Sequence, residues 1–258
     1  MRLEGKIAVV TGGGRGIGEA IAMALAKEGC SVAVSGRTAV HLERVASEIQ
    51  MLGRESLAVI CDISDPESVS ELFQRVNEKW GKLDILVNNA GESHSDLLAR
   101  MSLETWQRMI AINLTGTFLC SQQALRLMLP RQSGRIINIA STAAKIGFRY
   151  AGAYAAAKHG VLGLTRSMAL ETAASGITVN AVCPGWVETE MVEKAVQTIS
   201  AKTKVSPEKA REYLAAESPQ KRIIQPDEIA FATVWLACDE ARGINGQAIN
   251  VDGGQVMY

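Results

Sequence analysis

The feature that most constrains the fold is a regular alternation of short apolar runs with longer helical patterns. Seven runs rich in β-branched residues predict strands, at residues 7–10, 32–35, 57–61, 85–87, 135–140, 178–183 and 248–251. Six helical patterns lie between them, at residues 16–28, 39–52, 66–79, 103–129, 152–174 and 227–237. Strands that are apolar at nearly every position are typical of a parallel sheet covered by helices on both faces. We therefore expect an α/β, Rossmann-like, doubly wound parallel sheet.

Composition narrows the class of protein further. The 258 residues suffice for a single large domain over residues 1–258, without repeats or a linker. Lys plus Arg and Asp plus Glu both number 27, so no net charge attracts nucleic acid or an anionic membrane. We expect neither as a partner.

The first residues enter a predicted strand directly, which is not typical of a signal peptide, and no apolar run is long enough to cross a bilayer. The five cysteines are scattered and lie mostly in apolar runs. They are typical of reduced packing residues in a cytoplasmic protein, and none is spaced as in a metal site.

A glycine-rich segment lies between the first predicted strand and the first predicted helix. Gly12, Gly16 and Gly18 allow a tight turn and a close approach of backbone to ligand. The N-terminus of the following helix favours a negatively charged pyrophosphate. The segment predicts a dinucleotide site, and a glycine turn without a ligand is the alternative.

A second segment supplies groups for proton transfer. Tyr154 and Lys158 are four residues apart and share one face of a helix. The ammonium, together with an oxidised nicotinamide, would lower the phenol's pKa from about 10. Tyr154 could then exchange a proton with a carbonyl or alcohol oxygen that Ser141 hydrogen-bonds. Taken alone, Tyr154 could be a packing residue and Lys158 a solvated one. Beside a dinucleotide site, the pair predicts hydride transfer between nicotinamide and a ketone or secondary alcohol.

These motifs resemble the short-chain dehydrogenase/reductase family, in its common branch of roughly 250 residues. The matching features are the Gly-x3-Gly-x-Gly spacing of residues 11–18, Asn-Asn-Ala-Gly at 88–91, Asn113, Ser141, Tyr154-x3-Lys158, and Pro184-Gly185 with Thr189. The resemblance implies a seven-stranded sheet, NAD(P)(H), and a catalytic tetrad of Asn113, Ser141, Tyr154 and Lys158. It also implies that Asn113 holds a water connecting Lys158 to solvent, and that Lys158 contacts the nicotinamide ribose.

The resemblance also implies a set of cofactor contacts. The Val187 backbone and the Thr189 hydroxyl would meet the nicotinamide carboxamide, and Asp62 would meet the adenine amine. Asp62 could equally be a helix cap with Asp65. The cofactor-binding residues are Gly12, Arg15, Gly16, Ile17, Gly18, Arg37, Asp62, Asn89, Ala90, Gly91, Tyr154, Lys158, Pro184, Gly185, Val187 and Thr189.

The end of the second predicted strand indicates which nucleotide is used. An NAD site needs an acidic residue there to hold the ribose 2′-hydroxyl. This chain has Gly36 there, which leaves room for the ribose 2′-phosphate of NADP(H), and then Arg37, which can bind that phosphate. Arg15 in the glycine segment can reach the same phosphate from the other side. NADP(H) is therefore preferred, with NAD(H) possible if both arginines are merely solvated.

The substrate is constrained by comparison with hydroxybutyrate dehydrogenases, which the chain also resembles. Ala143, Ala151 and Glu92 stand where those enzymes place a histidine, a lysine and a glutamine for a free carboxylate. A 3-oxoacyl thioester or another neutral ketone is therefore expected. The alternatives are an NAD-dependent, hydroxybutyrate-dehydrogenase-like enzyme and a catalytically silent nucleotide-sensing member of the fold.

Two further expectations concern the surface. Residues 188–222 are charged and helix-forming, with Pro207 at a helix start, and predict a lid over the substrate, with a plain insertion as the alternative. Residues 103–129 and 152–174 are more apolar than one sheet-facing stripe requires. By resemblance these helices and the last strand form the contacts of a homotetramer.

Overall fold

The computed structural model describes residues 1–258, which contain one parallel sheet of seven strands in the order β3-β2-β1-β4-β5-β6-β7. The strands are β1 Ile7–Thr11, β2 Ser31–Gly36, β3 Ser56–Ile60, β4 Ile85–Asn88, β5 Gly134–Ile139, β6 Ile177–Pro184 and β7 Ala248–Val251. The chain order reverses beside β1, where β2 lies on one side and β4 on the other. The predicted Rossmann-like, doubly wound fold is confirmed.

Nine α-helices connect the strands. They are α1 Gly16–Lys27, α2 Ala39–Met51, α3 Pro66–Trp80, α4 Leu103–Ile110, α5 Gly116–Met128, α6 Gly152–Thr172, α7 Glu190–Thr203, α8 Pro207–Ala216 and α9 Pro226–Ala237. One apolar cluster of 28 buried residues packs α1, α2 and α9 on one face of the sheet. A second, of 20 residues, includes side chains of α3, α5 and α6 on the other face. Burial of both faces explains why the strands lack polar alternation.

The predicted helix at 103–129 is interrupted, so its continuity was predicted wrongly. A π-helical turn, Ala111–Thr115, separates α4 from α5. The Asn113 side chain lies in this turn and its Nδ2 donates to the Met109 carbonyl at 3.0 Å. A side-chain donor on that carbonyl competes with the backbone for the acceptor of an α-helical turn.

Parallel pairing brings the carboxyl ends of β1, β4, β5 and β6 to one edge of the sheet. Thr11, Asn88, Ile139 and Pro184 end these strands. The loops that follow them therefore meet at the reversal of strand order, where ligands bind in open α/β sheets.

None of the helices has the length and apolar character needed to cross a bilayer. All five cysteines are buried free thiols. No group of three or more potential metal-ligating side chains converges.

Candidate active site

A cavity of about 590 Å³ lies at the carboxyl edge of the sheet. Every residue predicted from the sequence to bind cofactor or to act in catalysis lines it. These are Gly12, Arg15, Gly16, Ile17, Gly18, Arg37, Asp62, Asn89, Ala90, Gly91, Asn113, Ser141, Tyr154, Lys158, Pro184, Gly185, Val187 and Thr189. Residues from six strand ends thus share one site, and their individual roles stay predictions.

The glycine turn at one end of this cavity has room for glycine only. Gly12 and Gly16 have φ values of 63° and 55°, in the left-handed region that other residues rarely adopt. A Cβ on Gly18 would lie 2.2 Å from the Gly12 carbonyl oxygen. Gly16 also approaches Thr189, because a Cβ on Gly16 would lie 3.2 Å from the Thr189 methyl. The turn therefore brings the first loop against the loop after β6.

Asn89 holds this turn in place. Its Nδ2 donates to the carbonyls of Thr11 and Gly12 at 3.0 and 3.2 Å. The Thr11 hydroxyl accepts the backbone N–H groups of Asn89 and Ala90, both at 3.0 Å. The motif at residues 88–91 therefore positions this glycine turn, which is called the glycine cradle below.

Helix α1 starts at Gly16 beside the cavity. Its N-cap, Arg15, makes no side-chain hydrogen bond to the first turn. The first amide donors of α1 are thus left for an anion, and the helix dipole adds to their attraction. The bare cap and the glycine-only backbone fit a dinucleotide pyrophosphate.

The four tetrad residues lie at the other end of the cavity. Lys158 is only 5 % exposed, and its Nζ donates to the Ile139 carbonyl at 2.8 Å. The same Nζ lies 5.7 Å from the centroid of the half-buried Tyr154 ring. Ser141 follows β5, and its Oγ accepts the Ala143 N–H at 3.1 Å. The carbonyl that ends β5 therefore fixes the ammonium beside the phenol.

Burial dominates the electrostatics of this pair. It raises the pKa of the Tyr154 phenol, and the neighbouring Ser141 side chain opposes this rise. It also lowers the pKa of Lys158 to about 8. The lowering of the Tyr154 pKa expected from Lys158 together with an oxidised nicotinamide stays a prediction. Removal from water disfavours the charged form of each group.

Asn113 is fully buried, and both ends of its amide are held by Glu92. Its Oδ1 accepts the Glu92 N–H at 3.1 Å, and its Nδ2 donates to the Glu92 carbonyl at 2.9 Å. A Cβ on Gly91 would lie 2.8 Å from Asn113 Oδ1 and 3.7 Å from Lys158 Nζ. The glycine thus keeps open the space between the amide and the ammonium, where the predicted water would lie.

The two arginines predicted to bind the 2′-phosphate both line the cavity, and each faces a carboxylate. Arg15 forms an ion pair with Glu190, at the start of α7. Arg37 Nη2 lies 3.9 Å from Glu92 Oε2. Neither partner is predicted from the sequence, because both glutamates are distant in sequence from the arginines. Thr38 and His41 line the same end and were also missed, although they directly follow Arg37.

The structure identifies the N-cap of α3, whereas a contact of Asp62 with the adenine amine stays a prediction. The helix cap of α3 is Asp65, whose carboxylate accepts the Glu67 N–H at 3.1 Å. Asp62 lines the cavity and accepts the Ser64 N–H and hydroxyl at 3.0 and 2.6 Å. These two hydrogen bonds hold the pKa of Asp62 below its usual value. Asp62 is therefore an ionised group at the nucleotide end of the cavity.

The segment at 188–222 contains α7 and α8 and packs as a small unit. Pro207 is in the first turn of α8, as predicted, with Ser206 as the N-cap. Arg211 on α8 donates to Glu188 at 2.7 Å and also pairs with Glu193 on α7. An apolar cluster joins the two helices, formed by Val192, Val196, Ala210, Leu214 and Ile223. The start of α7 forms one wall of the cavity.

Comparisons with known proteins agree with this geometry. A family model described as Enoyl-(Acyl carrier protein) reductase matches residues 12–255. A 3-oxoacyl-[acyl-carrier-protein] reductase of Synechocystis is 41% identical, over 99% of each chain. A protein of the same description from Thermotoga maritima is 37% identical, over 100% of each chain. An actinorhodin polyketide ketoreductase crystallised with NADPH superimposes with a TM-score of 0.95, at 41% identity and 98% coverage of both chains.

Proposed function

Since the chain belongs to the short-chain dehydrogenase/reductase family, we propose that this oxidoreductase is an NADP(H)-dependent ketoreductase acting on a 3-oxoacyl thioester. The observation that carries the proposal is the shared cavity. It has a glycine cradle and two arginines at one end, and Ser141, Tyr154 and Lys158 at the other. Retention of all four tetrad residues argues against a catalytically silent member of the fold.

The reaction divides between cofactor and protein. The glycine cradle and the two arginines would hold NADPH, which would supply the hydride for the carbonyl carbon. Ser141 and Tyr154 hydrogen-bond the carbonyl oxygen, and Tyr154 donates the proton that completes the alcohol. Burial raises the pKa of Tyr154, so the phenol carries its proton at neutral pH before reduction.

Lys158 returns a proton to Tyr154 after each turnover, and Asn113 would hold the water that connects Lys158 to solvent. Lys158 is fixed beside the ring by the Ile139 carbonyl. Its pKa of about 8 lets it give and regain a proton near neutrality. Asn113 faces Lys158 across Gly91, where a water would continue the path to solvent.

The thioester assignment rests on the three positions that would bind a free carboxylate and on the apolar lining of the cavity. Ala143 is buried and Ala151 is half-buried, so neither position offers a cation to a free carboxylate. Glu92 is paired with Arg108. Apolar side chains of Trp186, Met191 and Val192 line the cavity near the lid. A neutral ketone fits these surroundings, and two relatives are named 3-oxoacyl-[acyl-carrier-protein] reductase.

A substrate panel tests the proposal. The enzyme is mixed with NADPH and acetoacetyl thioester, free acetoacetate or an enoyl thioester, and nicotinamide absorbance is followed. We expect kcat/KM for the oxoacyl thioester to exceed that for the free acid by about tenfold or more, because the site leaves a carboxylate unpaired. Faster reduction of the enoyl thioester or of free acetoacetate would contradict the assignment.

We propose that residues 188–222 act as a lid on the substrate side. Arg211→Met removes the ion pairs between α8 and the α7 side. We expect KM for the ketone to rise about twofold to fivefold with little change in KM for NADPH. Lys209→Met is the control, because Lys209 pairs only with Glu212 of its own helix. Equal changes in both KM values, or none, would make the segment a structural insertion.

We also propose the homotetramer expected from the sequence. Leu103 on α4, Phe118 on α5 and Leu170 on α6 are large apolar side chains exposed on the helices in question. Phe231 and Trp235 are likewise exposed on α9. Faces of this kind are covered by partner subunits in many oligomers. The cytoplasmic location stays a prediction that rests on the cysteine pattern.

A further inference from the structure

Resting on the NADP(H) function proposed above, we infer that Arg108 is a specificity-determining residue although it does not line the cavity. The geometry points to a role through Glu92. Arg108 holds the Glu92 carboxylate and so leaves Arg37 free for the ribose 2′-phosphate.

One carboxylate faces two guanidinium groups at this place. Arg108 donates its Nε to Glu92 Oε1 at 2.7 Å and its Nη2 to Oε2 at 2.8 Å, which is a bidentate pair. Arg37 Nη2 lies 3.9 Å from the same Oε2, beyond hydrogen-bond distance. Glu92 is thus bonded to the arginine outside the cavity, while the arginine that lines the cavity keeps its donors.

Glu92 is close to Arg37 because its backbone is tied down. Its N–H and carbonyl are both bonded to the side chain of Asn113. The residue therefore cannot withdraw from the cavity, and only its side chain can turn. The Arg108 hydrogen bonds hold the pKa of Glu92 below its usual value, so this side chain is a carboxylate at neutral pH.

An ionised acid at residue 92 conflicts with a 2′-phosphate site unless its charge is compensated. Without Arg108, the nearest cation to the Glu92 carboxylate is Arg37. A pair between them would withdraw donors from the phosphate and place a negative charge beside it. Asp62 adds a second negative charge near the same two arginines, since Arg37 and Arg108 both interact electrostatically with it. Arg108 is therefore needed to keep the nucleotide end of the site attractive to the phosphate.

A double-mutant cycle on nucleotide binding tests this role. Isothermal titration gives the Kd of NADP⁺, NAD⁺ and adenosine 2′,5′-bisphosphate for the wild type, Arg108→Met, Glu92→Gln and the double variant. We expect Arg108→Met to weaken both phosphorylated ligands about twofold to fivefold and to leave NAD⁺ unchanged. Glu92→Gln should tighten the phosphorylated ligands, and adding Arg108→Met to it should change nothing further.

The double variant distinguishes an indirect effect of Arg108 through Glu92 from direct binding of the phosphate by Arg108. If Arg108 bound the phosphate itself, Arg108→Met would weaken binding in the Glu92→Gln background too, and the inference would fail. It would also fail if NAD⁺ weakened equally, since Arg108 would then be merely structural. Arg100→Met controls for the loss of one positive charge, because Arg100 is exposed and makes no ion pair.

Failure of this inference can be distinguished from failure of the proposed function. A wild type that binds NAD⁺ more tightly than NADP⁺ would overturn the NADP(H) assignment before any variant is compared. A wild type that prefers NADP⁺, with no coupling between residues 92 and 108, would overturn only the role of Arg108.

Discussion

Tyr154→Phe should lower kcat for ketone reduction by about 10²–10⁴-fold, because the variant keeps the ring and loses the proton that the alcohol needs. The half-buried ring is present in both the wild type and the variant, so the fold and the glycine cradle stay intact. The Kd of NADPH should therefore change little. Single-turnover absorbance of bound NADPH measures the loss directly.

Tyr213→Phe is the matched control for this substitution. Tyr213 is exposed on α8 and lies outside the cavity, so the same change there should leave kcat unaltered. Lys158→Met should lose rate as well, since it removes the ammonium held beside the Tyr154 ring. Near-normal turnover by Tyr154→Phe would remove Tyr154 from the proposed mechanism.

Gly36→Asp combined with Arg37→Ala should reverse the nucleotide preference, from at least about tenfold for NADPH in the wild type to NADH in the variant. A charge-assisted hydrogen bond from Arg37 to the phosphate is worth about 1.5–3 kcal/mol. The new carboxylate would accept the ribose 2′-hydroxyl of NADH and repel the 2′-phosphate of NADPH. The ratio of kcat/KM for the two nucleotides measures the change.

The backbone at residue 36 can accept the new side chain. A Cβ there would lie 3.6 Å from Leu42 Cδ2, which is ordinary van der Waals contact. Gly36→Ala alone, which adds the Cβ without a charge, should keep the NADPH preference and so serves as the control. A wild type that prefers NADH would contradict the proposed cofactor while leaving the hydride-transfer chemistry intact.

The sequence alone predicts the sheet, its helices and the residues around the cavity. Strand and helix periodicities are local properties, and burial on both faces leaves an uninterrupted apolar signal in each strand. The glycine cradle is equally local. Positive φ at Gly12 and Gly16 and the contact of Gly18 with the Gly12 carbonyl are requirements that a short glycine pattern expresses.

The tertiary structure alone decided how charge is arranged at the nucleotide end. Arg15 and Glu190 are 175 residues apart, and Glu92 meets Arg108 and Arg37 from different elements. No local pattern specifies such pairs, because they depend on which loops meet at the edge of the sheet.

The direction of the Tyr154 pKa was also decided only in three dimensions. The spacing of Tyr154 and Lys158 places their charges together, and that spacing alone favours a lowered phenol pKa. The fold removes both groups from water to different extents, and this raises the pKa of Tyr154. The proximity of two residues along a helix follows from the sequence alone. Desolvation depends on all the atoms that tertiary folding places around a group.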